Sequence, residues 1–244
     1  ILKNRRKTLG LLRDLKKIKT VGIINEDKEK GIIEIAKPVG VIAAVTPSTN
    51  PAATPINNII NALKTRNSII VSPSPAGSKV FIDLLVLINI ELNKVGAPKN
   101  LIQTFDCDIT KELTNELMEN VDLVIVTGSL NNVKQAAKSG SKAIGVGQGN
   151  VTSIVDETAD LEDTFKKIKM SKTFDNATSC SSENNLILIE DIYEKSINLL
   201  LEENAVLLNK NQKEVLQKNL WLDGKLNRKI IAKSAKFISN ELNL

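Results

Sequence analysis

The sequence predicts an α/β protein built on a mostly parallel sheet with helices on both faces, followed by a second, shorter β/α block. Three observations carry this. Residues 41–45 are a continuous apolar run with β-branched residues, as expected for a parallel strand buried on both faces, and 68–71 and 121–126 read as further strands. Segments of helical periodicity lie between them at the spacing of βαβ units. The strands also end in polar loops bearing Pro or Gly, at residues 46–51, 72–75 and 127–129, and ligands of such sheets collect beyond the carboxyl ends of the strands.

Composition narrows the function classes. With 244 residues and 42% hydrophobic content the chain can fill a core, but only 3% is aromatic, so Ile, Leu, Val and Ala must fill it. The net charge of +5 comes from 33 basic and 28 acidic residues interspersed along the chain, a solvated surface and no nucleic-acid footprint. Two cysteines without paired spacing argue against a disulfide framework or a zinc site and for a reducing, cytoplasmic setting. The absence of histidine removes mechanisms that need an imidazole base from this chain. No apolar run has membrane-spanning length, and the mixed apolar and basic start is no secretory signal. The chain begins without Met inside a helical pattern, so it is expected to be a fragment.

In order, residues 4–18 read as an amphipathic helix with Leu9, Leu12 and Leu15 among its apolar positions. Residues 20–24 and 31–36 form a hairpin around the charged turn 25–30, and Pro38 ends it. After the strand at 41–45 comes a helix with Pro55 near its first turn and Ile56, Ile59, Ile60 and Leu63 on one side. Residues 79–92 are a helix apolar on nearly every side, expected to be largely buried. A strand at 101–105 and a helix face of Ile109, Leu113 and Leu117 precede the strand at 121–126. Thr127, Gly128 and Ser129 open a helix over 131–138, as a cap or as a cradle for a pyrophosphate. The glycine cluster 145–149 lacks dinucleotide-fingerprint spacing and reads as a flexible crossing between two domains. Strands at 151–155 and 186–189 and helices at 161–171, 192–203 and 212–220 complete the pattern.

Within the second block, residues 174–184 set Cys180 among small hydroxyl and amide side chains between a helix and a strand. This is the setting of a nucleophile on a tight loop, able to attack an aldehyde carbonyl. Cys107 stands between Asp106 and Asp108, carboxylates that disfavour a thiolate, and reads as incidental.

The segments 34–42, 47–51, 62–67, 126–129, 145–150, 156–160 and 172–183 together resemble the CoA-acylating aldehyde dehydrogenases in order and spacing, from about residue 5 to the end. The form Ser179-Cys-Ser-Ser-Glu-Asn184 is most similar to the acylating sulfoacetaldehyde dehydrogenase branch. The resemblance implies four regions. They are a helical segment over 1–18, a bridging, oligomer-forming hairpin over 19–37, a Rossmann-like nicotinamide-cofactor domain over 38–147, and an incomplete catalytic domain over 148–244. It implies NAD or NADP as cofactor, CoA as co-substrate, a small aldehyde as substrate and a homo-oligomer, with Cys180 as nucleophile. Thr46, Pro47, Ser72, Pro73, Ser74, Thr127, Gly128, Ser129 and Gly145 match its cofactor positions.

Two departures from the hydrolytic relatives bear on mechanism. Their oxyanion amide stands where this chain has Thr49, one place before Asn50, so Asn50 is either the donor or a residue that shapes the 47–51 loop. Their general-base glutamate is matched by Gly145, so a thioester would wait for CoA and not for water. Glu183 follows the nucleophile closely and reads as a cap or surface carboxylate. Sulfoacetaldehyde needs a cationic anchor, and none of Arg5, Arg6, Arg13, Arg66 and Arg228 stands out as one; acetaldehyde or succinate semialdehyde fits equally. Two other classes compete: a non-catalytic oligomer partner using the hairpin, and a phosphate-forming reductase of the same superfamily.

Overall fold

A computed structural model describes residues 2–227 and 229–244, so Ile1 and Arg228 lie outside the described residues. It divides into two compact units, residues 1–148 and 149–244.

The first unit begins with α1 (Leu2–Leu15) and an antiparallel ribbon of β1 (Gly22–Asp27) and β2 (Ile32–Ala36). The helix stops three residues before the expected end, and the ribbon turn is tighter than residues 25–30, because Asn25 and Glu26 pair with Glu34 and Ile33 across a bulge. Then come β3 (Val41–Thr46), α2 (Ala53–Lys64), β4 (Ser68–Pro73), a 3₁₀ turn (Pro75–Gly77) and α3 (Ser78–Lys94). They are followed by β5 (Ile102–Thr104), α4 (Lys111–Glu119), β6 (Leu123–Thr127), α5 (Leu130–Lys138) and β7 (Lys142–Val146).

Strands β3 to β7 form one parallel sheet in the order β5-β4-β3-β6-β7, with its first crossover beginning at the central strand. This is the arrangement of a Rossmann half-sheet. Period-two alternation splits β3 between two cores. Ile42 and Ala44 pack with Ile59 and Ala62 of α2 and Phe81 of α3, whereas Ala43 and Val45 pack with Leu117 and Met118 of α4 and Ala136 of α5. The sheet's amino edge is pinned by side chains. The Asn67 carboxamide oxygen accepts from the N–H groups of Val39 (2.6 Å) and Gly40 (2.9 Å), and the Asp122 carboxylate accepts from Val41 N–H (2.7 Å).

Helix α3 and the glycine cluster also depart from the sequence expectation. Helix α3 packs one face on the sheet through Phe81, Leu85, Ile88 and Leu92, while Ile82, Val86 and Ile90 on its other face are 45, 56 and 46% exposed. An apolar composition does not bury a helix all round when one of its faces meets the core. The start of the glycine cluster is strand and not a flexible crossing. Gly145 pairs with Val126, and a Cβ there would come within 2.6 Å of Val133 Cγ1, so glycine lets α5 lie close on β7.

The second unit contains β8 (Val151–Val155), α6 (Leu161–Thr173), a 3₁₀ segment (Phe174–Ala177), β9 (Glu183–Leu188), α7 (Glu190–Glu202) and α8 (Lys210–Leu220). A short ribbon of β10 (Trp221–Leu222) and β11 (Lys225–Leu226) and helix α9 (Ala235–Leu242) end it. Strands β8 and β9 pair in parallel, and Val155, Leu161 and Phe165 form the core against Leu186, Ile192, Leu199 and Leu200. Strand β9 starts at Glu183, three residues before the expected position, because β8 continues to offer partners from Val151 onward. No helix among the described residues is long and apolar enough to cross a membrane.

Candidate functional site

Helix α6 delivers the cysteine loop. Its start is fixed by Asp160, whose carboxylate accepts from Asp163 N–H (3.1 Å), with Glu162 and Asp163 favourably placed in the first turn. At its end the backbone leaves the helix at Phe174, and Asp175, Asn176 and Ala177 all take left-handed values (φ 54°, 50° and 58°). Such values strain L-residues, Ala most of the three because it lacks a polar side chain to bond locally. The reversal is held by Thr178, whose hydroxyl donates to Asp175 O (2.9 Å) and to the Asp175 carboxylate. Asn176 Nδ2 donates to Ala232 O (2.9 Å).

Beyond it, Ser182 N–H donates to Ser179 O (3.1 Å), and the Ser179 and Ser181 hydroxyls are 3.0 Å apart, which leaves Cys180 at the tip, exposed. Among the described residues none accepts from the Cys180 N–H, which is therefore available to an oxyanion.

The loop is tied to the strand pair at its neck. Lys172 Nζ donates to Asn184 Oδ1 (3.2 Å), Asn184 Nδ2 lies 3.5 Å from Gly149 O, and Asn185 Nδ2 donates to Asn150 Oδ1 (2.9 Å). Gly149 runs so close beneath the loop that a Cβ on it would collide with the carbonyl oxygen of Cys180. Glu183 is not a surface carboxylate: it is half-buried in β9, and its Oε2 is buried without a partner, as is the hydroxyl of Ser182. Sequence reasoning missed Gly149, Lys172 and Asn184 as supports of the loop. The glycine cluster was the available signal for the first, and its reading as a linker hid it.

Cys107 is also exposed, so exposure does not separate the two thiols. Of the arginines weighed as anchors, Arg5, Arg6 and Arg13 sit on α1 and Arg66 in the turn after α2, all in the first unit, and Arg228 lies outside the described residues. Lys172 is a cation that the structure does place beside the cysteine loop.

In the first unit the sequence-matched cofactor positions meet at the carboxyl edge of β3, β4, β6 and β7. Thr46 ends β3 opposite Pro73 at the end of β4, and the Ser74 N–H donates to Thr46 O (3.1 Å). Gly128 N–H donates to Val146 O (3.0 Å), and at φ 153° its α-carbon faces Pro47, whose Cβ is 4.0 Å from the position a Gly128 Cβ would fill. Pro51 packs on Gly77, 2.9 Å from its would-be Cβ, which docks the 47–51 loop onto the start of α3.

The hydroxyls of Thr46 and Ser74 and the carboxamide oxygen of Asn50 are buried without partners. Orphaned polar atoms of this kind call for a ligand or water. Two other positions are already spent: the Ser72 hydroxyl bonds that of Thr114 (3.0 Å), and Ser129 caps α5 by accepting from Asn132 N–H (3.2 Å). Gly145 serves the packing of α5 on β7. Among the described residues no cluster of acidic or cysteine side chains could hold a metal ion.

The model of the aldehyde dehydrogenase family matches residues 4–216. The chain belongs to the aldehyde dehydrogenase family. An acylating sulfoacetaldehyde dehydrogenase of Cupriavidus necator is 51% identical over 235 residues, which cover 96% of this chain and 48% of that protein. An acetylating aldehyde dehydrogenase of Geobacillus thermoglucosidasius superimposes with a TM-score of 0.92 at 36% identity, over 99% of this chain and 54% of that one. A propionaldehyde dehydrogenase of Rhodopseudomonas palustris, solved with CoA and an acylated cysteine, superimposes with a TM-score of 0.80 at 33% identity, covering 85% and 48%. This aldehyde dehydrogenase chain thus spans about half the length of the relatives it matches.

Proposed function

We propose that the protein carrying this chain is a CoA-acylating aldehyde dehydrogenase that converts an aldehyde and CoA to acyl-CoA, with Cys180 as nucleophile. The observation that carries the reading is the presentation of Cys180, exposed at the tip of a loop tied at its neck to the β8–β9 strand pair, with its own N–H free. The Cys180 thiolate adds to the aldehyde carbon to give a thiohemiacetal whose oxyanion the Cys180 N–H can hold. NAD or NADP, when bound, supplies the hydride acceptor. Thr46, Ser74 and the 127–129 turn would line its site, since the unpartnered hydroxyls of Thr46 and Ser74 and the close approach at Gly128 fit a dinucleotide. Cys180 then holds the acyl group as a thioester, and the thiol of CoA displaces it, releasing acyl-CoA and the free cysteine.

Gly145 favours transfer to a thiol over hydrolysis. The position where hydrolytic relatives carry a base has no side chain, and Val133 fills the space one would need. Sulfoacetaldehyde is the proposed substrate, on the similarity to sulfoacetaldehyde dehydrogenases. Residues 38–147 would serve the cofactor and 148–244 the cysteine chemistry. The β1–β2 ribbon, with Ile23, Ile24, Ile32, Ile33 and Ile35 all exposed, would join a second copy of the chain. Two free cysteines suit a cytoplasmic enzyme.

The test is an assay of the intact gene product with a panel of aldehydes, CoA and both nicotinamide cofactors. CoA-dependent oxidation that Cys180→Ala abolishes is the expected result; activity retained in that variant, or dependence on inorganic phosphate in place of CoA, sinks the reading.

A further inference from the structure

We infer that Glu183 is the general base that takes the proton of the CoA thiol as the acyl group leaves Cys180. The inference rests on the reading of Cys180 as an acylated nucleophile and adds the group that activates the second substrate. A thiol of ordinary acidity, with a pKa of about 8.5, arrives mostly protonated at neutral pH, whereas the thiolate is the nucleophile. The chain contains no histidine to accept that proton.

The cysteine loop narrows the choice. Over residues 172–188 the ionisable side chains are Lys172, Asp175, Cys180 and Glu183. Lys172 donates to Asn184, and the Asp175 carboxylate accepts from the Thr178 hydroxyl. Neither oxygen of Glu183 has a partner among the described residues, and Oε2 is buried. A buried carboxylate oxygen without a donor is costly and calls for a reason. The hydroxyl of the preceding Ser182, a residue only 4% exposed, is likewise unpartnered.

The backbone sets Glu183 near the reacting sulfur. The bond from Ser182 N–H to Ser179 O (3.1 Å) closes a turn with Cys180 at its corner, and Glu183 follows as the first residue of β9. Gly149 lies against the cysteine, its would-be Cβ 3.5 Å from Cys180 Cβ, and Val151, two residues on, pairs with Glu183. Cys180 and Glu183 therefore rest on points of the chain at most about 7 Å apart, a range in which a thiol attacking an ester on the cysteine can meet the carboxylate. Strand β9 packs on β8, α6 and α7. Strand β8 carries no charge, and Lys166, Lys167 and Lys169 of α6 are paired with Glu162, Asp163 and Glu203. Helix α7 adds Glu190, Asp191, Glu194, Lys195 and Glu202, none of them bonded to Glu183, so the carboxylate is not spent on a fixed cation.

In the step, the CoA sulfur bonds to the acyl carbon as its proton passes to Glu183. The tetrahedral oxyanion then collapses, the bond from carbon to Cys180 Sγ breaks, and Cys180 leaves as the thiolate with the electron pair. Glu183 gives its proton to water. The net products are acyl-CoA, the Cys180 thiolate and one proton, with nothing oxidised or reduced.

Acetyl transfer from p-nitrophenyl acetate to CoA by the intact gene product isolates this step from aldehyde and nicotinamide. The burst of p-nitrophenolate reports acylation of Cys180, and loss of the thioester in a single turnover reports transfer. In Glu183→Gln, transfer to CoA should fall about 100-fold relative to the burst, and Glu183→Asp should recover part of the rate. The thiol 5-thio-2-nitrobenzoate is already ionised at neutral pH and needs no base, so Glu183→Gln should use it within about threefold of the wild type, which a merely distorted loop would not. In the wild type, transfer to CoA should vary less than about threefold from about pH 6 to 8, where an unassisted thiol gains about tenfold per unit; this readout needs no variant. Undiminished transfer to CoA in Glu183→Gln, equal losses with both thiols, or a wild-type rate that climbs as an unassisted thiol's does overturns the inference. A protein that oxidises no aldehyde yet transfers acetyl to CoA through Glu183 refutes the proposed reaction and supports the base. Absence of the burst, or its survival in Cys180→Ala, overturns both.

Discussion

At the scale of single residues, the cysteine loop depends on two small side chains with opposite requirements. Gly149 has no room for a Cβ, because the Cys180 carbonyl oxygen occupies the place. Gly149→Ala should therefore shift Cys180, and we expect a loss of turnover of about tenfold or more with a changed rate of Cys180 alkylation by iodoacetamide, measured against Cys107 as internal reference. Ala177 is the reverse case: it sits at φ 58°, where an L-residue is strained and glycine is not. Ala177→Gly should raise stability by about 0.5–1 kcal/mol, read from urea unfolding. A lower midpoint would show that the left-handed segment is not adopted.

At the scale of elements, each block is closed by side chains acting on the backbone. The loop from β8 to α6 turns on Asp156, whose carboxylate accepts from the Thr158 hydroxyl (2.6 Å) and N–H (3.0 Å). These bonds, the hydroxyl's first, hold the Asp156 carboxyl below its ordinary value. The unfolded chain then binds its proton more readily than the folded one. The stabilisation is present above the unfolded value, near pH 4, and is lost as pH falls through the lower folded value. Thr158→Val should flatten that part of the stability-pH curve, and an unchanged acid limb would show that Asp156 is not held in this way. The sheet has its counterpart in Asn67, whose replacement by Ala would leave the Val39 and Gly40 N–H groups without their acceptor. We expect a cost of about 2–4 kcal/mol in denaturant unfolding.

At the scale of the whole molecule, the two units carry unequal cores. Both faces of the first unit's sheet are covered by helices, whereas Val155, Leu161 and Phe165 anchor a core on a sheet of only two strands in the second. The only Trp and the only Tyr, Trp221 and Tyr193, both belong to the second unit. In denaturant, tryptophan fluorescence should therefore change at a lower midpoint than far-ultraviolet circular dichroism, which reads both units. Coincident curves would show that the units unfold as one.

The order of strands and helices, the buried parallel strands, the cysteine loop and the family were legible in the sequence, because periodicity and motif spacing are local properties. The ends of β4 and β9 and the existence of β7 were not, since a strand extends as far as its neighbour offers hydrogen bonds, and that neighbour is remote in sequence. The apolar helix α3 was read as buried because composition does not say that only one of its faces meets the sheet. The sequence alone singled out Cys180 as a candidate nucleophile and, through the resemblance, matched Gly145 to the position of a general base. Only the tertiary structure decided that Gly149 runs under Cys180, that Val133 fills the space beside Gly145, and that Thr46 and Ser74 are left without partners at one corner of the sheet. These are contacts between segments far apart in the chain, and packing in three dimensions is what fixes them.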